Sequence, residues 1–167
     1  MPASVPTVTQ LRAAIAEKIF AIDPQIAVHD YERNAKDMSA LAALYKSGDP
    51  AAPRLNGYHV RRVATREVFV DTGRWCVWHR WRIRGVMGMS DANASEKLFD
   101  EQIEAIRVAF RDIEGQVTDP LGKLILGTID DKSGEAGIQV LDSKPVMFAG
   151  VLCHWAELGL ATQHLIP

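Results

Sequence analysis

Cysteine is scarce in this sequence, and no disulfide framework can be built from it. The only two cysteines, Cys76 and Cys153, are too few for the disulfide scaffolds of small secreted domains. The five histidines are scattered and form neither H-x-H nor H-E-x-x-H. Cys153 and His154 are adjacent, so on a strand their side chains would point to opposite faces. We therefore expect two reduced thiols and no metal site.

Long apolar runs are also missing. No stretch reaches the roughly 18 apolar residues that a transmembrane helix needs. The opening segment MPASVPTVTQ has neither the basic start nor the apolar stretch of a signal peptide. We expect a soluble protein without membrane contact that folds in a reducing cytoplasm, or in a particle assembled there.

Motifs of phosphate-binding loops and of common nucleophiles do not occur. Gly85-Val86-Met87-Gly88 lacks the following lysine and hydroxyl residue of a phosphate-binding loop. No G-x-S-x-G turn is present. The carboxylates fall on a helix face and in loops, without an obvious partner base. The sequence thus predicts neither an enzyme nor a bound cofactor.

Composition and periodicity favour one α+β domain over residues 1–167. The chain is 47% hydrophobic and 24% charged, which is typical of a globular domain. The order of patterns is helix, strand, insertion, hairpin, helix, hairpin, which predicts a mostly antiparallel sheet packed with two main α-helices. The predicted elements are a helix at 9–22, a short strand at 25–31, strands at 58–70 and 74–87, a helix at 94–113, and strands at 137–142 and 145–163.

Two segments do not fit the sheet and helices. Residues 34–57 are predicted to be an insertion off the core, with a short helix capped by Asp37 or Ser39 and then a turn-rich stretch. Residues 115–137 contain an apolar stretch that is either a strand or a protruding arm. Its candidates for a partner-contact loop are Leu121, Leu124 and Leu126.

Local signals also predict particular caps, turns and faces. Asn93 and Glu96 have the spacing of a capping box, and Ser143-Lys144 is the expected turn of the last hairpin. The strand at 74–87 alternates sharply. Its predicted core face carries Trp75, Val77, His79, Trp81 and Ile83. Its predicted wet face carries Cys76, Trp78, Arg80, Arg82 and Arg84.

Charge is divided unevenly along the chain. Residues 54–84 contain eight arginines and two acids, a net charge of +6, whereas residues 91–142 contain twelve acids and five bases, a net charge of −7. Opposite charges on two parts of a subunit suit head-to-tail contact between copies, although both parts could be solvated faces of a monomer. The candidate subunit-interface residues are Trp78, Arg80, Arg82, Arg84, Asp100, Glu101 and Glu104.

The sequence resembles the tail terminator proteins of long-tailed bacteriophages over most of its length, apart from the insertion at 34–57. The features that carry the resemblance are the opening helix with Leu11-Arg12-Ala13-Ala14-Ile15, the strand Ile26-Ala27-Val28, the hairpin ending in Trp78-His79-Arg80-Trp81-Arg82-Ile83, the acidic helix from Ser95-Glu96-Lys97-Leu98-Phe99, and the closing strand pair.

The resemblance implies a structural virion protein at the head-proximal end of a tail, without catalytic residues. Such a protein forms a homo-oligomeric ring, expected to be a hexamer, that caps the tail tube and joins it to the head connector. DNA would pass through the ring without being read. Members of this family are usually shorter, which fits an insertion here.

Three other interpretations stay open from the residues alone. The chain could be another neck, tail-completion or tail-tube protein. It could be a small ligand-binding or enzymatic α+β domain unrelated to phages, although no convergent polar pocket is visible in the sequence. Arginines interleaved with aromatic residues also suit a single-strand nucleic-acid binder, but the isoelectric point near 6.2 argues against that as the main task.

Overall fold

The computed structural model describes residues 6–48, 50–111 and 132–166. These residues form an α+β fold in which a mostly antiparallel, mixed sheet of six strands packs with three α-helices. The α-helices are α1 (Val8–Phe20), α2 (Met38–Leu44) and α3 (Ser95–Ala109), and the strands are β1 (Ala27–His29), β2 (Lys46–Ser47), β3 (Arg54–Asp71), β4 (Arg74–Gly88), β5 (Gln139–Phe148) and β6 (Val151–Ile166). The α+β class predicted from the sequence is confirmed.

The sheet has the strand order β1-β3-β4-β6-β5, and β2 pairs with the start of β3. The β1–β3 pair is parallel, and the other pairs are antiparallel. The long central strands β4 and β6 pair along nearly their whole length, from Trp75 opposite Ile166 to Gly88 opposite Cys153. This pairing fixes which side chains share a face.

One face of the sheet is covered by α1 and α3, and we call it the helix-covered face. Its buried residues are Tyr58, Val60, Trp81, Ile83, Ala156, Leu158 and Leu160. The helix α1, predicted at 9–22, packs there through Leu11, Ile15 and Ile19. Thr7 begins α1 with a capping box shared with Gln10, since each residue satisfies a backbone N–H of the other.

The helix α3 packs as predicted but begins differently. Phe99, Ile103 and Ile106 are buried in the main core. The capping box predicted at Asn93 is wrong, because Asn93 lies in a short 3₁₀ turn and the cap is Ala94, in the left-handed region. The Ser95 hydroxyl instead accepts a hydrogen bond from the backbone of Ser90.

The segment at 34–57 is not an excursion off the core. Asp37 caps α2 as predicted, but α2 and the strands after it pack on the opposite face of the sheet, where they bury a second apolar cluster. The cluster consists of Ala42, Tyr45, Leu55, Val86 and Cys153. The segment predicted to be turn-rich up to Gly57 already contains the start of β3, at Arg54.

The turn of the last hairpin lies at Ala149-Gly150, and the prediction of Ser143-Lys144 is wrong. Ala149 and Gly150 have φ of 48° and 79°. Positive φ at both central residues is the requirement of a type I′ hairpin turn. Ser143 and Lys144 lie inside β5, together with Pro145. Pro145 is tolerated because β5 is the last strand of the sheet.

The alternation of β4 follows the prediction with two corrections. Val77, His79, Trp81 and Ile83 are buried on the predicted face, but Trp75 is 44% exposed. Cys76 has the opposite parity and is nevertheless buried. Both corrections lie beside the turn of the β3–β4 hairpin, where burial no longer follows the alternation.

Within the described part of the chain, no helix is both long and apolar enough to cross a membrane.

Candidate functional site

The face of the sheet opposite α1 and α3 carries a row of arginines beside a tryptophan. We call this surface the arginine face and define it by Trp78, Arg80, Arg82 and Arg84. All four side chains are partly buried and have the parity opposite to Trp81 and Ile83. The α2 cluster covers the same side of the sheet at one end, through Val86 and Trp155. The arginine face is therefore the part of this side that α2 leaves uncovered.

Two of the arginines share one carboxylate within the same chain. Arg82 Nε lies 3.1 Å from Glu157 Oε1, and Arg84 Nε donates a hydrogen bond of 2.7 Å to Glu157 Oε2. The Glu157 side chain is only 19% exposed, so water screens these pairs less than surface pairs. Arg82 and Arg84 thus have an acidic partner within the same chain. The sequence had suggested an acidic partner in a neighbouring copy.

The same network reaches the loop after β1. Glu32 lies 4.0 Å from Arg84 Nη1 and 3.4 Å from Arg61 Nη1, which connects this loop to the central strands. Sequence reasoning missed both Glu32 and Glu157. Glu157 could have been noticed as the single acid in the long apolar strand β6, but its partner lies 73 residues away along the chain.

Trp78 is held against an arginine of the neighbouring strand. Arg66 lies opposite Trp78 in the β3–β4 register, and its guanidinium is 6.0 Å from the ring centroid. This distance is at the outer limit of a cation–π contact. Arg66 of β3 is thus an arginine that approaches Trp78 within the chain.

The predicted acidic residues lie on the exposed side of α3. Asp100, Glu101 and Glu104 are exposed, while the other side of α3 packs into the core. Glu104 forms an ion pair of 2.6 Å with Arg107. We call Asp100, Glu101 and Glu104 the acidic surface. The sheet and its helix layer separate the acidic surface from the arginine face, so the structure does not bring these two groups together within one chain.

A polar cluster lies within the helix-covered face towards the turn of the β3–β4 hairpin. His79 Nδ1 is 2.9 Å from Thr65 Oγ1, the Trp81 indole donates to Thr162 Oγ1 at 2.9 Å, and the rings of His79 and His164 stack 5.4 Å apart. Burial lowers the pKa of His79 to about 4, and it also lowers the pKa of His164. Both imidazoles are therefore neutral at pH 7, as for hydrogen-bonded structural histidines.

A second buried histidine lies beneath the α2 cluster. His59 Nδ1 is 3.0 Å from the hydroxyl of Tyr45, and burial lowers the pKa of His59 to about 4. His59 Nε2 is buried without a hydrogen-bond partner among the described residues.

Neither this site nor the rest of the described chain brings together three His, Cys, Asp or Glu side chains that could hold a metal ion.

The turn end of the β3–β4 hairpin exposes apolar side chains that the sequence placed in the core or left unassigned. Phe69 and Trp75 are 56% and 44% exposed, and their rings meet edge to face with centroids 5.3 Å apart. Val70 beside Phe69 is also exposed, and so is Val63 farther from the turn on β3. The predicted partner-contact residues Leu121, Leu124 and Leu126 lie outside the described residues.

Comparisons with known proteins add little to this geometry. No protein-family model matches the sequence, and no curated protein matches it. One solved structure, whose name describes no function, matches 96% of this chain and 96% of its own chain, with 17% sequence identity and a TM-score of 0.38. A likeness at this level carries no argument about function.

Proposed function

We propose that this protein is a structural subunit of a bacteriophage particle, a tail terminator that forms a homo-oligomeric ring, expected to be a hexamer. In this role the ring caps the tail tube, joins it to the head connector and lets DNA pass. The chain has no enzymatic task and works in the virion, with copies of itself, the tube protein and the connector as its partners.

The observation that carries the proposal is the separation of charge across the sheet. The arginine face lies on one side, and the acidic surface of α3 lies on the other. Because the core separates them, these surfaces can meet only between copies. A contact between two different surfaces is heterologous, and such contacts close into a ring when the rotation between copies fits.

Glu157 is paired with Arg82 and Arg84, and this affects which arginine should be mutated to test the contact between copies. Replacing Arg82 by glutamate would place a second carboxylate beside Glu157 and destabilise the monomer. Arg80 lies on the same face and is paired in register with Ala161, so it is not opposite Glu157. Arg80→Glu therefore reverses a charge of the arginine face without placing a second carboxylate opposite Glu157.

Light scattering coupled to size-exclusion chromatography tests the proposal. The wild-type chain should elute as a multiple of its 18.5 kDa mass. Arg80→Glu and, separately, Glu101→Arg should each shift the protein to monomer, with unchanged circular dichroism. The double variant Arg80→Glu/Glu101→Arg should recover part of the ring, because the charges are again opposite.

Two matched reversals serve as controls. Arg62→Glu and Glu17→Arg change exposed residues outside the two surfaces and should leave the ring intact. Electron microscopy of the wild-type protein then separates a terminator, which stops at single rings, from a tail-tube subunit, which stacks into tubes. A wild-type chain that is monomeric at high concentration would contradict the proposal.

A further inference from the structure

The helix α2 is held against the sheet by few contacts, and most of them lie at its C-terminal end. Within α2 itself, Ala42 is the buried residue. His29 Nε2 of β1 donates a hydrogen bond of 2.7 Å to the carbonyl of Leu44, the last residue of α2. Tyr45 follows, is 1% exposed and lies over Gly57, where an added Cβ would be 2.9 Å from Tyr45 Cδ1. The contacts around Tyr45 therefore keep α2 in place.

His59 of β3 is the polar residue of the sheet that Tyr45 contacts. His59 is 7% exposed, and its Nδ1 is 3.0 Å from the hydroxyl of Tyr45. In the register of the sheet, His59 lies between His29 of β1 and Arg84 of β4. Because Arg84 belongs to the arginine face, α2 and Tyr45 cover one end of that same surface.

The closed position of α2 fits only the neutral form of His59. A protonated imidazole donates hydrogen bonds from both ring nitrogens. His59 Nε2, however, is buried and has no acceptor among the described residues. A buried cation that lacks an acceptor is costly, and burial accordingly lowers the pKa of His59 to about 4. When α2 moves away, water hydrates the ring, so a proton on His59 favours the open position.

The charged groups around His59 do not reverse this effect of burial. Glu32 favours the protonated form, whereas Arg84, His29 and Arg61 disfavour it. Glu32 is itself within ion-pair distance of Arg61 and Arg84. The one acid that faces His59 is therefore shared with two guanidiniums, and burial of the ring stays the largest cause of the lowered pKa.

The apolar cluster under α2 is small and separate from the main core. It consists of Ala42, Tyr45, Leu55, Val86 and Cys153, whereas the main core lies on the helix-covered face. A small unit of this kind can open by itself at a lower free energy than the whole fold. Cys153 is fully buried in the cluster, so the accessibility of its thiol reports whether α2 is closed.

We propose that α2 is a pH-sensitive cover, which detaches from the sheet when His59 takes up a proton and leaves the main core folded. Detachment enlarges the arginine face, because it places a charged His59 beside Arg84 and uncovers Leu55 and Val86. The trigger is the buried Nε2 atom that has no acceptor in the closed position. All of these contacts lie within one chain, so the switch does not depend on the proposed ring.

Labelling of the Cys153 thiol with 4,4′-dithiodipyridine tests the proposal on the full chain. The labelling rate of Cys153 is read by peptide mass spectrometry and divided by the rate of glutathione at the same pH, which gives a protection factor. The closed position is most stable above pH 6.5 and loses stability towards pH 4, because the open form binds the proton first. Protection of Cys153 should therefore fall about tenfold from pH 7.5 to pH 5.5, one unit below the ordinary histidine pKa.

Two glutamine substitutions on opposite faces of the sheet form a matched pair. His59→Gln removes the group that takes up the proton but keeps an acceptor for the Tyr45 hydroxyl, so protection of Cys153 should no longer depend on pH. His79→Gln removes a buried histidine from the helix-covered face, and the tenfold fall should persist. Tyr45→Phe should lower protection at both pH values and keep the fall between them, because it loses only the contact to His59 Nδ1.

Hydrogen exchange in the wild-type protein separates local detachment from global unfolding and needs no variant. Exchange is followed by mass spectrometry at pH 5.5 and corrected for the intrinsic rates. The amides of α2 should exchange about tenfold faster than those of β4, because α2 opens while the main core stays folded.

Three results would overturn the proposal. They are the same protection of Cys153 at pH 7.5 and pH 5.5, an equal fall in the wild-type protein and in His59→Gln, or equal exchange of the α2 and β4 amides at pH 5.5. None of these results is a measurement of oligomer mass, so failure of this proposal and failure of the assembly proposal can be told apart.

Discussion

Arg84 and Glu157 lie directly opposite each other on β4 and β6, and their side chains are joined by a hydrogen bond of 2.7 Å. Glu157 also contacts Arg82, two residues along the same strand. One carboxylate therefore holds two guanidiniums of the arginine face in place.

The first prediction concerns this carboxylate. Glu157→Gln should lower the free energy of unfolding by about 1–3 kcal/mol, because two partly buried guanidiniums lose their charged partner. Urea denaturation at pH 7 measures the change. Glu32→Gln is the matched control, since its side chain is 43% exposed, and it should cost less than about 1 kcal/mol. Equal small losses in both variants would show that the pairing at Glu157 is energetically unimportant.

The second prediction uses the two tryptophans that the sequence placed on the same core face. Trp81 is fully buried and donates its indole hydrogen to Thr162, whereas Trp75 is 44% exposed. Trp81→Phe should destabilise the protein by about 2–3 kcal/mol through a lost hydrogen bond and a cavity. Trp75→Ser should cost less than about 1 kcal/mol. Chemical denaturation of both variants checks the ranking, and the reverse order would contradict the observed exposure of Trp75.

The third prediction concerns close packing at Gly85. A Cβ at this position would lie 2.2 Å from Cε1 of the fully buried Tyr58. Gly85→Ala should therefore destabilise the protein by about 1–3 kcal/mol or more, as overpacking forces the ring to move. Tyr58→Leu should make the alanine better tolerated, so the double variant should lose less stability than the two single variants added together. Strict additivity would mean that Gly85 and Tyr58 do not compete for the same space.

The fourth prediction is a loss of stability in acid. Burial lowers the pKa of His59 and of His79 to about 4, below the ordinary value of 6.5, and lowers the pKa of His164 too. A histidine whose folded pKa is depressed contributes its full stability above pH 6.5. That contribution is lost as pH falls towards 4, because the unfolded chain takes up the proton first.

The size of the acid effect can be measured by comparing variants. His59 and His79 can each contribute up to about 3 kcal/mol between pH 7 and pH 4. The groups around His79 that affect its charge are His164 and Arg62, both of which disfavour the protonated form. Urea midpoints at pH 7 and pH 4.5 should differ less for His79→Gln than for the wild-type protein. An unchanged pH dependence in this variant would place the acid sensitivity elsewhere.

The elements with strong periodicity were predictable from the sequence, whereas caps and turns set by tertiary contacts were not. These elements are α1 and α3, with their apolar stripes, and β4, with its alternation. Each of them buries one face in the same main core, so its sequence pattern is regular. The turn at Ala149-Gly150 was missed because alanine rarely adopts positive φ, while Ser143-Lys144 had ordinary turn composition. The packed position of α2 was missed because its cluster depends on Cys153, more than 100 residues away along the chain.

The candidate site was predictable only in part. Parity along β4 places Trp78, Arg80, Arg82 and Arg84 on one surface, and the structure has them there. The ion pairs to Glu157 depend on the register between β4 and β6, which composition and spacing do not determine.

The account is tested most directly by the mass of the purified wild-type protein in solution, measured by light scattering over a range of concentrations. It predicts a discrete oligomer, expected to be six copies of the 18.5 kDa chain, that Arg80→Glu converts to monomer and that Glu101→Arg in the same chain partly restores. A monomer at every concentration, or an oligomer whose mass neither reversal changes, would contradict it.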